Sequence, residues 1–402
     1  MNPATTPPRT ALAPWPFYAD DEREAVARVL QSGRVNYWTG EECRHFEREH
    51  AAASGCAHAV ALMNGTAALE LALLALEIPR GSEVITTPRT FIASASAAAV
   101  RGCVPVLADV DRDSGNLTAA SIARVITPRT RAIIAVHLAG WPCDMDPIMA
   151  LAAQHGLKVI EDCAQASGAT YKGRPVGSIG HAGAFSFCQD KIITTGGEGG
   201  MLTTCDEGVW RRAWEYKDHG KGWEAVYHRE HAPGFRWLHE GFGTNFRMTE
   251  LQAAIGRVQL RKLPAWTRQR NDTMNQLFDA LEDHPALRIP RAGAGLGHAA
   301  YKAYLYLRPG ALKPGWTRDR IMTAVADQGL PCFSGSCSEI YREKAFTASG
   351  LGPEEPLPVA KELGETSLMF PVHPGLGRDY AREVASALRT ILAEACTDGG
   401  RA

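Results

Sequence analysis

Between residues 57 and 204 the chain alternates short apolar runs with helical stretches, and this alternation restricts the fold more than any other feature. Strands are predicted over 58–63, 84–87, 104–110, 132–137, 158–162, 184–187 and 201–204. Helices are predicted over 66–76, 91–100, 118–125 and 146–155. Apolar strands separated by helices indicate an α/β fold, with a mostly parallel sheet covered on both faces. Ligands in such sheets bind beyond the carboxyl ends of the strands, so the chemistry is expected in the turns that follow the apolar runs.

One such turn holds an unusual lysine. Residues 185–200 read FSFCQDKIITTGGEGG: a strand stops at Gln189 and Asp190, Lys191 follows, Ile192 and Ile193 come next, and four glycines surround Glu198. A lysine at the end of a buried strand is placed where desolvation would lower its pKa and expose a neutral amine, the nucleophile of Schiff-base chemistry. A surface hairpin lysine beside a flexible loop is the competing reading of this stretch alone.

Other strand ends supply further groups. Asn64-Gly65-Thr66 lies where a strand passes into a helix, so backbone N–H groups, the Thr66 hydroxyl and the helix dipole can hold a phosphate. An ordinary helix start has the same sequence. Asp162 ends the run LKVIED before the small-residue turn CAQASGA. A buried carboxylate there needs a cationic partner, and a protonated pyridine nitrogen would serve as one. A helix-capping aspartate is the alternative. Ser186 could reach a phosphate and Phe91 could stack on a ring, against the readings of core serine and core phenylalanine. The joint order of cradle, aromatic, aspartate and lysine along one sheet edge favours the functional set.

The rest of the chain frames this core. Residues 1–16, rich in proline and threonine, are expected to form an extended arm. Helices follow over 16–32, with Asp20, Asp21 and Glu22 near its start, and over 42–53. Between them GRVNYWTG (33–40) is either a loop placing Tyr37 and Trp38 over a ligand or a packed turn, the turn being favoured. After a helix over 207–216, the segment 217–245 mixes Lys217, Lys221, Arg229 and Arg236 with Trp223, Tyr227, Phe235, Trp237 and Phe242. A connection this long is usually functional or mobile. A helix over 248–263 carries one buried stripe, and Pro264 with an amphipathic stretch to 281 leads into a second unit. The division is an arm at 1–16, a large domain at 17–265 and a smaller α+β C-terminal domain at 266–402. The small domain is expected to hold strands at 301–307 and 331–333 and helices at 318–328 and 379–394.

Composition narrows the partners. The 402 residues, 45% hydrophobic, suffice for one large and one smaller core. With 43 basic against 44 acidic residues there is no overall field to hold nucleic acid or an anionic membrane, and a small-molecule partner is expected. The ten cysteines contain no C-x-x-C pair, so no zinc ribbon and no metal site is expected, and their scatter suits a reducing compartment. Neither an apolar leader nor a run of about 18 apolar residues occurs, so a cytoplasmic location is expected. Neither G-x-G-x-x-G nor a Walker lysine motif accompanies GGEGG, which argues against a plain nucleotide-binding module.

Four segments in order carry a family resemblance: NGTAAL (64–69), EDCAQASGA (161–169), AFSFCQDKIITTGGEGG (184–200) and NFRMTELQAAIGRVQL (245–260). Together they resemble the pyridoxal phosphate-dependent sugar aminotransferases of the DegT/DnrJ/StrS type, over nearly the whole chain. The resemblance implies a fold type I architecture and pyridoxal 5'-phosphate as cofactor, with Lys191 forming the internal aldimine and moving protons between donor and cofactor. It implies that Asp162 pairs with the pyridine nitrogen and that Gln165 sits near the ring or its hydroxyl. Gly65, Thr66 and Ser186 would hold the phosphate and Phe91 would stack on the ring. Asn245 would reach the phosphate of the neighbouring subunit in a homodimer with composite sites. The implied reaction moves an amino group from L-glutamate onto a nucleotide-linked keto sugar. A cyclitol ketone as acceptor, or a non-catalytic sensor that keeps the fold, are the alternatives; intact Asp162 and Lys191 weigh against the sensor. Cys188, where the family often has histidine, and the long 217–245 connection depart from the pattern near the expected substrate. His219 matches a family histidine-glycine pair and is read as a turn residue.

Overall fold

The computed structural model describes residues 12–230 and 237–397. Its strands, in chain order, begin with β1 (His58–Leu62), β2 (Glu83–Thr86), β3 (Val104–Leu107), β4 (Thr130–Val136) and β5 (Lys158–Asp162). A short pair, β6 (Thr170–Tyr171) and β7 (Arg174–Pro175), precedes β8 (Ala182–Ser186) and β9 (Gly200–Thr204). The main sheet has the order β1-β9-β8-β5-β4-β2-β3. All neighbours in it are parallel except β9, which runs antiparallel to both β1 and β8. Strands β8 and β9 are buried at every residue, as expected of a sheet covered on both faces.

The register brings separate strand ends together. Leu62 at the end of β1 and Ser186 at the end of β8 both pair with Gly200, the first residue of β9. Across the next pairs, Asp162 faces Ala184 on one side and Val136 on the other. Loops that are distant in sequence therefore leave the sheet along one edge.

One core lies where helix Gly65–Ala75 packs between the sheet and helix Glu207–Lys217, around Leu69, Leu71, Leu73 and Trp214. A second core gathers the end of the long helix, the short β10 (Leu287–Arg288), and the later strands β12 (Lys302–Leu307) and β13 (Ser367–Pro371) under helix Tyr380–Ala395. Strands β10, β12 and β13 form a small antiparallel sheet, while β11 (Leu296–Gly297) pairs back onto β6.

Several local expectations need correction. The helix expected to stop before Pro264 runs unbroken from Glu250 to Asp279. Pro264 removes an N–H at a cost of about 3 kcal/mol in a helix interior. Tertiary contacts on both sides offset it: Arg257 binds Glu42 and Glu49, Lys262 binds Glu22, and beyond the proline Met274, Leu277 and Phe278 enter the second core. The expected domain boundary at 265/266 thus falls inside this helix, whose later half enters the second core. The strand expected at 331–333 is a single bridge from Phe333 to Met369, and its partner β13 was not foreseen, nor were helices Lys344–Ser349 and Pro358–Thr366. All ten cysteines are free. No helix among the described residues is long and apolar enough to cross a membrane.

Candidate active site

Asn64 caps helix Gly65–Ala75, its side-chain oxygen accepting the Ala67 N–H at 2.8 Å. That leaves the Gly65 and Thr66 N–H groups, first in the helix, without an intrahelical partner, the arrangement that binds anions. A methyl group at Gly65 would stand 2.6 Å from Ser186 Cβ and 3.2 Å from its hydroxyl. The glycine therefore permits the close approach of two phosphate-binding candidates that are 121 positions apart, and a side chain there would fill the cradle. Ser186 is buried, and its hydroxyl accepts only the long 3.4 Å bond from Cys188 N–H.

Asp162 closes β5 with 4% of its surface exposed. The Ser94 hydroxyl donates to Oδ2 at 2.7 Å and the Ala164 N–H to Oδ1 at 3.1 Å. Burial pushes its carboxyl above the ordinary range, while the bonds from Ser94 and Ala164 and the charge of Lys191 pull the other way. No cationic side chain among the described residues bonds to it, so the buried carboxylate fits a cationic ligand group. Ser94 belongs to the helix that Phe91 precedes, and Phe91 itself stands 69% exposed beside this buried contact. Sequence reasoning picked Phe91 and missed Ser94; the three-residue spacing between them was the available signal.

The neighbouring Glu161 is also fully buried and holds the floor in place. It accepts bonds from His137 Nε2 at 3.0 Å and from the N–H groups of Gly177, Ile179 and Gly180 at 2.9, 2.7 and 2.7 Å, while His137 Nδ1 accepts the Cys143 N–H. With Cys163 this forms a compact His/Glu/Cys group. The Glu161 oxygens and the His137 ring nitrogens are all committed to these bonds, so the group braces the ends of β4 and β5. Gln165 follows on the same turn. Its Oε1 accepts the Ala139 N–H at 2.8 Å, which leaves its amide NH2 to face a ligand.

The Lys191 side chain is 16% exposed, with Nζ 3.7 Å from Asp190 Oδ1 and 5.2 Å from the centre of the Tyr301 ring. Tyr301 donates its hydroxyl to the other Asp190 oxygen. Trp15 donates its indole N–H to the Lys191 carbonyl at 2.9 Å. Asp190, Tyr301 and Trp15 were not foreseen as parts of the site. Two of them come from outside the large domain, where strand-end reasoning does not look.

The structure brings Gly65, Thr66, Asp162, Gln165, Ser186 and Lys191 to one sheet edge, with Phe91 at its rim. Asn245 is placed differently: it is exposed, bridges to Asp218, and lies beside the end of β1 through the Met63 N–H bond to the Phe246 carbonyl. No bond joins it to Gly65, Thr66 or Ser186 of the same chain.

The aromatic and basic segment after residue 217 is mostly packing. Lys217 is fully buried, Trp223 packs 4.7 Å from both Trp210 and Trp214, and Arg229 pairs with Glu240. Trp237 and Phe242 are exposed, whereas Phe235 and Arg236 lie outside the described residues. Tyr37 is 2% exposed, so the 33–40 stretch is a packed turn, and His219, with φ 61°, is a turn residue as expected.

Residues 17–389 match the model of the DegT/DnrJ/EryC1/StrS aminotransferase family. The UDP-N-acetyl-3-dehydro-alpha-D-glucosamine 3-aminotransferase of Acidithiobacillus ferrooxidans is 36% identical over 93% of this chain and 94% of its own. GDP-perosamine synthase of Caulobacter vibrioides is 36% identical over 96% of this chain and 99% of its own. Among solved structures, an aminotransferase from Psychrobacter cryohalolentis superposes with a TM-score of 0.94 at 56% identity, covering 96% of this chain and 99% of that one.

Proposed function

Because the chain belongs to the DegT/DnrJ/EryC1/StrS aminotransferase family, we propose that it transfers an amino group from L-glutamate to a keto group of a nucleotide-linked sugar, with pyridoxal 5'-phosphate as cofactor. The observation that carries the cofactor reading is the joint cradle: Gly65 admits Ser186 only because it lacks a side chain, and the same edge ends in the buried Asp162 carboxylate and in Lys191. These residues fit the group. Gly65, Thr66 and Ser186 would hold its phosphate, Asp162 its ring nitrogen, Gln165 its polar edge and Phe91 its face. When bound, pyridoxal phosphate supplies an electron-withdrawing ring that stabilises negative charge at Cα of the donor.

The protein's own part follows from placement. Asp162 would meet the ring nitrogen with its buried carboxylate, which the Ser94 hydroxyl holds in position. Lys191 Nζ takes the proton from Cα of the donor and later delivers one to the carbon that receives the nitrogen. Asp190 and Tyr301 hold the ammonium at the edge of the cradle between these events.

The acceptor class rests on relatives that act on UDP-, GDP- and dTDP-linked sugars. The reading includes a homodimer, and what supports that part is Asn245, which is exposed and unbonded to its own cradle and so is available to a second copy. The test is a panel of UDP-, GDP- and dTDP-linked keto sugars, with a keto cyclitol beside them, each incubated with cofactor and L-glutamate. Formation of 2-oxoglutarate and an amino sugar from at least one nucleotide sugar is expected. Turnover of the cyclitol alone would move the acceptor to that class, and no glutamate-dependent turnover with any member would remove the assignment.

A further inference from the structure

Next to Lys191 lies a second set of basic side chains that the steps above do not use. Arg270 of the long helix, Lys302 at the start of β12 and His373 just after β13 converge there from three elements. Arg270 is 1% exposed, and among the described residues its Nε and Nη2 bond nothing and its sole hydrogen bond is a 3.5 Å contact from Nη1 to the Tyr301 carbonyl. Its guanidinium lies 4.8 Å from the centre of the Trp15 ring, and Trp15 also stacks on His373 at 5.6 Å. His373 Nδ1 is buried without a partner as well. Lys302 Nζ sits 4.8 Å from the centre of the same Tyr301 ring that Lys191 approaches at 5.2 Å.

This set carries an excess of positive charge. Among the described residues Asp190 is the carboxylate that acts on Lys302, and it is already shared with Tyr301 and Lys191. Burial, with Arg270 and Lys191 adding repulsion, holds Lys302 down at about 8. Burial holds Arg270 down at about 9. Buried cations without acceptors are costly, and an anion relieves the cost. Lys302 also lines a cavity of about 480 Å³ whose wall includes Ala139, the residue whose N–H donates to Gln165.

We propose that Lys302, backed by the buried guanidinium of Arg270, binds a carboxylate of the amino donor. The identity of the anion rests on the aminotransferase reading; the existence of an anion site does not. A donor carboxylate is attached to the carbon that Lys191 must reach, whereas the phosphates of a nucleotide-linked sugar are separated from the reacting carbon by the sugar ring. An anion beside Lys191 and Lys302, over one tyrosine ring, is therefore the donor's. Replacing a charged hydrogen-bonding partner of this kind costs about 1.5–3 kcal/mol, or roughly 10- to 100-fold in affinity.

The test uses the cofactor-loaded enzyme and its Lys302→Gln and Lys302→Arg variants. In Lys302→Gln the KM for L-glutamate is expected to rise about 10- to 100-fold, with kcat changed by less than about threefold and the KM for the keto sugar unmoved. Lys302→Arg is expected to restore most of the donor affinity. Calorimetry with glutarate, which has two carboxylates and no amino group, reads the site without turnover and should show the same loss. Unchanged glutamate KM and glutarate affinity in Lys302→Gln would overturn the proposal, as would a variant that loses affinity for the keto sugar alone. If the wild type binds glutarate through Lys302 yet transfers no amino group, the functional reading fails and the anion site stands.

Discussion

Lys191 follows the buried strand β8 and Lys217 closes an amphipathic helix, and each has lost most of its contact with water. Lys191 ends a turn beyond β8, keeps 16% of its side chain exposed, and faces Asp190 and Tyr301 on the same sheet edge as the proposed phosphate cradle. Lys217 ends helix Glu207–Lys217, is fully buried, and places Nζ 3.4 Å from the centre of the Tyr37 ring with no hydrogen-bond acceptor. Burial pulls the Lys217 amine downward, with the Glu47 charge opposing. Desolvation is therefore present away from the cradle too, where Lys217 packs against Tyr37 and Trp214. An amine serves in covalent catalysis when it is also at a strand end, beside a cradle and an opening, and that is a property of topology.

Substitutions at the two positions should separate these roles. Lys191→Ala is expected to lower turnover by on the order of 10³-fold or more, because it removes both the covalent anchor and the proton carrier. Lys217→Met should leave kcat within about threefold while lowering stability by about 1–3 kcal/mol, since the cation over Tyr37 is lost and Glu47 is left without its counter-charge. Comparable activity losses at the two sites would break the contrast.

Gly65→Ala addresses the cradle. A methyl carbon 2.6 Å from Ser186 Cβ forces the helix start and β8 apart, so cofactor affinity should fall by about 10- to 100-fold, measured by titrating pyridoxal phosphate into the cofactor-free variant. Ser94→Ala sharpens the account of Asp162. Losing the 2.7 Å bond raises the carboxyl further, and the half-reaction with glutamate should slow by about tenfold with a steeper loss at acid pH. A wild-type pH profile in Ser94→Ala would remove the serine from the site.

A smaller effect concerns the packing beneath the sheet. His50 is wholly buried, and burial holds its imidazole down at about 3. The unfolded chain takes up a proton near pH 6.5 that the folded protein refuses, so stability from this residue is present above that pH and is lost as pH falls from 6.5 toward 3. His50→Phe should flatten the decline in denaturant midpoint between pH 6.5 and 4.5, by about 2 kcal/mol at the lower end, without changing turnover at neutral pH.

How far the sequence could be read follows the range of the forces involved. Strand and helix alternation is local, and β5 and helix Glu42–Ala53 fall where the pattern puts them. Lys191, Asp162 and Gly65 were legible because strand ends of a parallel sheet share one edge. Ser94, Tyr301 and Trp15 were not, since their roles come from contacts across 68, 111 and 176 positions that no local pattern marks. Pro264 misled for the same reason: packing on both sides keeps the long helix intact where local propensity ends it. The aromatic and basic composition of 217–245 suggested a ligand surface, yet Trp223 and Lys217 serve the core.

The most direct test of the account is chemical trapping. The cofactor-loaded protein is reduced with borohydride, digested, and searched for the covalently attached pyridoxyl group by peptide mass spectrometry. The account predicts the group on the peptide containing Lys191 and an unmodified Lys217. Label on Lys217 or Lys302 in place of Lys191, or none on any lysine of a protein that holds the cofactor, would contradict it.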